Sequence, residues 1–284
     1  MKLRCLLFIF LAAIPLVVSL SSRTFVAATS FLYATNAAHT LGAQPSTAME
    51  ISDCAPALGA DISHMRGTVT EIQIPAGRVT LEGELSVPPD AKGLVLFAHG
   101  SGSSRHSPRN QFVAGVLQDA GIGTLLFDLL TKAEEEEDYH TGHLRFDIGL
   151  LAQRLVHAAR VMEQEPEAQH LKLGFFGSST GGGAAIVAAA ELGDQIGAVV
   201  SRGGRPDLAG KALREVTAPT LLIVGGEDHV VIQLNEQALR ALRCEKQWRI
   251  IAGASHLFEE PGTLDSVAHL AAEWFVEHLS DKHV

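Results

Sequence analysis

Ser179, Asp228 and His256 are the residues whose types and order suggest chemistry. Ser179 is the centre of Gly177-Ser178-Ser179-Thr180-Gly181, a G-x-S-x-G stretch. It lies between an apolar strand-like run, KLGFF, and a helix-like one, TGGGAAIVAAAEL. A sharp strand-to-helix turn holds its central hydroxyl clear of the backbone, and flanking glycines remove the Cβ atoms that would clash. The N-terminus of the following helix favours negative charge at that point. A serine hydroxyl becomes a nucleophile at neutral pH only with a base beside it. Asp228 follows the apolar run PTLLIVG, and His256 follows QWRIIAG. Serine, acid and histidine therefore appear in the chain order Ser…Asp…His, each just after a predicted strand. That set could form an acyl-enzyme: Ser179 attacks, His256 moves the proton, Asp228 orients His256.

The elements that must position these groups follow from hydrophobic periodicity. VTEIQI and VTLEGELSV alternate as half-buried strands and are joined at Gly77 as an antiparallel hairpin. LVLFAHG, TLLFDLL, KLGFFG, IGAVVSR, PTLLIVG and QWRIIAG read as buried strands. PRNQFVAGVLQDAG, LRFDIGLLAQRLVHAARVMEQ, TGGGAAIVAAAEL, DLAGKALREV, VIQLNEQALRAL and TLDSVAHLAAEWFVEHL read as helices. Strand–helix alternation predicts an α/β domain, with a mostly parallel sheet of about eight strands and helices on both faces. The acidic run AEEEEDYHTGH is expected to be a solvated loop. In such sheets ligands collect at the carboxyl ends of the strands, where all three candidate residues fall.

Competing readings of the glycine-rich turn fail on spacing. A phosphate-binding loop needs a lysine that this stretch lacks, and a dinucleotide fingerprint needs G-x-G-x-x-G after an early strand. A purely structural turn does not account for the order of the acid and the histidine. Glu227 adjoins Asp228 as an alternative acid, and Asp128 and Ser178 read as structural. His140 and His143 make too weak a pattern for a metal, and no cofactor is expected. Arg105, His106, Arg109, Arg145, Arg202 and Arg205 all fall near the strand carboxyl ends. Either they pair with nearby acids, or Arg105 or Arg202 binds an anionic group of the substrate.

The segments FAHGSGSSRHSPRN, GFFGSSTGGG, VGGEDHVV and GASHLFEEPG together resemble the α/β-hydrolase superfamily, in its dienelactone-hydrolase-like branch, from Thr68 to the C-terminus. The resemblance implies the α/β-hydrolase fold and a triad of Ser179, Asp228 and His256. It implies an oxyanion hole formed by the backbone N–H groups of Thr180 and Ser101, and a loop-shaping role for His99. True dienelactone hydrolases carry cysteine where Ser179 stands, so ester or lactone hydrolysis is the reading carried forward. Acyl transfer, peptide cleavage, or a non-catalytic binding role on the same fold are the alternatives. Only SRGGRPDLAGKALREVTA separates IGAVV from PTLLIVG, too little for a large lid domain. Small or short-chain acyl substrates are therefore expected.

The rest of the chain limits the options. Of its 284 residues 46% are apolar and 19% charged, and the formal net charge is −10 with no basic block. A sequence-independent grip on nucleic acid is excluded on that balance. Cys5, Cys54 and Cys244 lack metal spacing, and a Cys54–Cys244 bridge is conceivable only after export. Lys2 and Arg4 precede CLLFIFLAAIPLVVSL, which reads as a signal peptide over 1–28 with cleavage between Ala28 and Ala43. That implies a secreted or periplasmic protein. The alternatives are an uncleaved membrane anchor, or a cytoplasmic protein starting at Met49 or Met65. Residues 29–67 read as a linker, and 68–284 as the α/β domain.

Overall fold

The structure is a computed structural model that describes residues 67–280. The expected signal, the linker and Cys54 lie outside the described residues, apart from Gly67. Eight strands form one sheet in the order β1-β2-β4-β3-β5-β6-β7-β8. They are β1 (Val69–Ala76), β2 (Val79–Ser86), β3 (Leu94–Ala98), β4 (Gly123–Phe127), β5 (Leu173–Ser178), β6 (Ile196–Arg202), β7 (Thr220–Gly225) and β8 (Lys246–Ile251). β1 pairs antiparallel with β2, and β2 antiparallel with β4. Every other pairing is parallel.

The central strands are continuous apolar runs because both faces of the sheet are covered. Side chains alternate between two cores. Leu96, Phe175, Val199 and Leu222 face one, while Phe97, Phe176, Val200 and Ile223 face the other. α1 (Pro108–Asp119) and α7 (Thr263–Leu279) cover the second face. α3 (Ile148–Met162) and α4 (Thr180–Leu192) cover the first. α6 (His229–Ala241) follows β7 and also packs into that first core through Ala238.

Two sequence expectations need correction. The acidic run is not a loop but a helix, α2 (Lys132–Thr141). Thr131 and Glu134 form a reciprocal capping box at its start, and Gly142 closes it in the left-handed region with φ 68°. The expected helix in DLAGKALREV is broken. A short 3-10 turn, Pro206–Ala209, ends at Gly210, and α5 (Ala212–Glu215) makes a single turn. No large lid domain separates β6 from β7.

The strand order decides where the site lies. The chain runs from β3 to β4 on one side, then returns to place β5 on the other side of β3. That reversal is a topological switch point, and it opens a crevice at the carboxyl ends of β3 and β5.

Candidate active site

Ser179 stands at the carboxyl end of β5, directly before α4, with φ 51° and ψ −120°. A non-glycine residue pays a steric penalty at such positive φ, so the surroundings must impose it. They do so by close approach. A Cβ on Gly181 would lie 2.2 Å from the Ala98 carbonyl oxygen, and one on Gly177 would lie 2.5 Å from that of Gly181. Only glycine lets β3, the turn and α4 meet this closely. The Ser179 N–H donates to the Arg202 carbonyl at 3.3 Å, tying the turn to β6.

Asp228 caps α6, accepting the Val231 N–H at 3.4 Å through Oδ1. Its other oxygen accepts a 2.6 Å hydrogen bond from His256 Nδ1. Asp228 is thus held by the helix and in turn holds the imidazole. The neighbouring Glu227 is exposed and has no such contact to His256. A methyl built on Gly203 would lie 3.7 Å from His256 Cε1, so the ring reaches over the strand to which Ser179 is tied. The loop after β8 that carries His256 is pinned by Glu260, which accepts the Ser255 N–H at 3.0 Å. Hydrogen bonding to Ser255 holds the Glu260 carboxyl below its ordinary range. No sequence signal marked Glu260 in this role.

The two candidate oxyanion donors sit together. The Ser101 N–H donates to Thr180 Oγ1 at 3.1 Å, across the β3–β5 crevice. The Thr180 hydroxyl therefore occupies the acceptor position that an oxyanion would take from Ser101. The Thr180 N–H is at the first position of α4, where helix N–H groups have no intrahelical acceptor. His99 ties the loop after β3 to the segment after β4. It is buried, its Nε2 accepts the Leu129 N–H at 3.0 Å, and Nδ1 faces the Gly100 carbonyl at 3.0 Å. Burial pushes its pKa down. Ser178 is buried against α1, donating to Asn110 Oδ1 at 3.3 Å, a structural role.

A cavity of about 470 Å³ opens beside this crevice. Ser101, Thr180, Leu129, Leu130, Leu151 and Tyr139 line it. Its size is ordinary for a small-molecule site. α2 forms one wall and is fastened at two points. Glu134 accepts from Arg154 at 2.7 Å, and buried Asp138 pairs with Arg145. Glu134 and Asp138, four apart, share the inward face of α2.

The arginines separate clearly. Arg105 was a candidate for substrate binding, but its guanidinium pairs with Asp128 and with Glu82 at 2.8 Å, and its N–H with Asp128 at 2.8 Å. These carboxylates fasten the loop after β3 to β2 and β4, and they engage the Arg105 guanidinium. Arg145 pairs with Asp138, Arg205 with Asp207 at 2.8 Å, and Arg109 with Glu259 at 3.2 Å. His106 lies 3.5 Å from Glu84. Arg202 has no such partner among the described residues. His143 engages Thr141 at 2.6 Å, and no group of metal-ligating side chains occurs among the described residues.

An eight-stranded, mostly parallel sheet with a strained serine at the β5–α4 turn defines the α/β-hydrolase fold. A family model described as "Dienelactone hydrolase family" matches residues 90–279, and this chain belongs to that family. A solved dienelactone hydrolase from Anabaena variabilis is 61% identical. It superposes with a TM-score of 0.74 over 75% of this chain and 98% of its own. The esterase Est1E from Butyrivibrio proteoclasticus shares the fold, with 16% identity and a TM-score of 0.61 over 73% of this chain and 98% of its own. Two Mycobacterium tuberculosis proteins named "Putative phosphoribosyl transferase" are 54% identical over 209 residues, 74% of this chain. This chain spans 46% of their length. Family and neighbours support a hydrolase.

Proposed function

We propose that this protein is a serine hydrolase that cleaves carboxylic esters or lactones with small acyl groups. The observation that carries the reading is the 2.6 Å hydrogen bond from His256 to Asp228 alongside a serine held at φ 51°. Ser179 Oγ adds to the acyl carbon while His256 Nε2 takes the hydroxyl proton, and the carbonyl electron pair moves onto oxygen. The Thr180 and Ser101 N–H groups stabilise that oxyanion once the Thr180 hydroxyl yields its acceptor position. Such a donor typically accounts for about 3 kcal/mol of the barrier. Collapse breaks the bond to the leaving alkoxide, which takes the proton back from His256. Water, deprotonated by the same His256, then releases the acid and restores Ser179.

The mycobacterial relatives' transferase name describes proteins about twice as long as the matched stretch. Ser179, Asp228 and His256 all lie in the α/β domain, which is why hydrolysis is favoured. The test is hydrolysis of p-nitrophenyl esters from acetate to dodecanoate by wild type and Ser179→Ala, with fluorophosphonate labelling in parallel. Short esters should be turned over and Ser179 labelled, with both lost in Ser179→Ala. Labelling or turnover that survives Ser179→Ala would overturn the assignment.

A further inference from the structure

The backbone of Arg202 and Arg205 clamps the nucleophile turn from outside. The Ser179 N–H donates to the Arg202 carbonyl at 3.3 Å, and the Ser179 carbonyl accepts the Arg205 N–H at 2.9 Å. Gly203-Gly204 joins the two jaws of this clamp. Gly203 has φ 53°, and successive glycines hold no fixed path by themselves. The link also runs close to its neighbours. A Cβ on Gly204 would lie 1.8 Å from Ser201 Oγ, and one on Gly203 would lie 3.1 Å from the His256 carbonyl oxygen. Side chains therefore cannot stiffen the link from within, and the fixing contact has to come from another element.

It comes from α6. Asn235 is fully buried, and its Nδ2 donates to the Gly204 carbonyl at 3.0 Å. The same group donates to the Val231 carbonyl at 2.8 Å. Both partners are carbonyl oxygens, which only the NH₂ end of the amide can serve. Among the described residues no other hydrogen bond joins α6 to residues 202–205. Asp228 caps the same helix and holds His256. One helix thus grips the candidate base through Asp228 at its start and the Ser179 clamp through Asn235 two turns on. Asn235 Oδ1 is buried with no hydrogen-bond partner among the described residues. A buried acceptor without a donor is unfavourable, so filling space does not account for an asparagine here. Ala238, three residues on and also buried, fills its place without polar side-chain atoms.

We propose that Asn235 is a positioning residue of the triad. Its amide fixes the Gly203-Gly204 link, and through it the place of Ser179 relative to Asp228 and His256. It acts through the backbone and makes no hydrogen bond to the three triad side chains. The proposal rests on the serine-hydrolase reading above. Reacting groups misplaced by about 1 Å can lose on the order of 100-fold in rate. The cavity beside Thr180 is lined by other elements. Loss of the Asn235 amide should therefore impair the chemical steps and spare substrate binding.

The test compares Asn235→Leu and Asn235→Ala with the wild type on p-nitrophenyl butanoate, well below the Tm of each. In both variants kcat should fall at least about 10-fold while KM stays within about twofold. The rate of fluorophosphonate labelling at Ser179 should fall with kcat. Ala238→Gly supplies the reference, because it weakens the same helix through its backbone; it should lower Tm yet leave kcat within about twofold. Wild-type kcat in either Asn235 variant, or an equal loss in Ala238→Gly, assigns Asn235 to stability alone and overturns the proposal. Should both Asn235 variants fail to fold, NMR of the wild type decides. The Asn235 side-chain amide protons should resist solvent exchange and should shift when a fluorophosphonate occupies Ser179. Protons that exchange freely, or that keep their shifts, overturn the proposal. Wild-type turnover and labelling matched by both Asn235 variants would sink the positioning role alone. A wild type that neither labels nor turns over any ester would instead sink the serine-hydrolase reading, and this proposal with it.

Discussion

Asp228 and Glu227 are adjacent, yet only Asp228 reaches His256, because capping α6 turns its side chain toward the loop after β8. Asp228→Asn should lower kcat about 10³-fold or more, by analogy with other triads. Glu227→Gln should stay within about twofold of wild type, since an exposed carboxylate is usually worth little. Steady-state kinetics on one short ester checks both, and the reverse pattern would exchange their roles. His99 supplies a pH dependence. Its folded pKa lies below the ordinary 6.5 because burial penalises the charged ring. Between the folded value and 6.5 the unfolded chain binds more protons, so stability is intact above pH 6.5 and falls as pH drops below it. Urea melts from pH 7 to 5 should show that loss, and His99→Gln should flatten it. At this scale the sequence was informative, because Ser179, Asp228 and His256 each follow a strand in the expected order. It could not show that Arg105 is already bound to Glu82 and Asp128. Those partners are distant in sequence, and only strand pairing brings them together.

Among the elements, α2 departs furthest from expectation. Its charge suggested a solvated loop, yet Thr131 and Glu134 spell the capping signal in the sequence itself. What the sequence hid is that two of those acids turn inward, to Arg154 and Arg145. Thr131→Ala should cost about 1 kcal/mol of stability through the lost cap. Because α2 walls the cavity, it should also raise KM more than it lowers kcat. Thermal melts and kinetics on a butanoyl ester would check both, and an unchanged KM would remove α2 from substrate binding. The break at Gly210 was harder to foresee, because the flanking residues Leu208-Ala209 and ALRE favour helix.

For the whole molecule, alternation of strands and helices foretold a parallel sheet covered on both faces. The order β4-β3-β5 was not written in any local pattern, although it alone sets the crevice. Without a lid domain between β6 and β7, an acyl group in the proposed reaction would have only the cavity beside Thr180 to enter. Activity on p-nitrophenyl esters should therefore peak at short acyl chains and decline toward dodecanoate. A twofold or greater preference for dodecanoate over butanoate would contradict this.

The tie between the Ser101 N–H and the Thr180 hydroxyl joins residues 79 apart in the chain. The hydrogen bond from His256 to Asp228 joins residues 28 apart, on loops after two further strands. Helices, by contrast, close through neighbours and form early, whereas distant contacts wait on chain closure. Turnover is then a late reporter of folding. After dilution from urea, catalytic activity should return more slowly than the helical circular-dichroism signal, and the interval between them measures how long the central strands take to find their order.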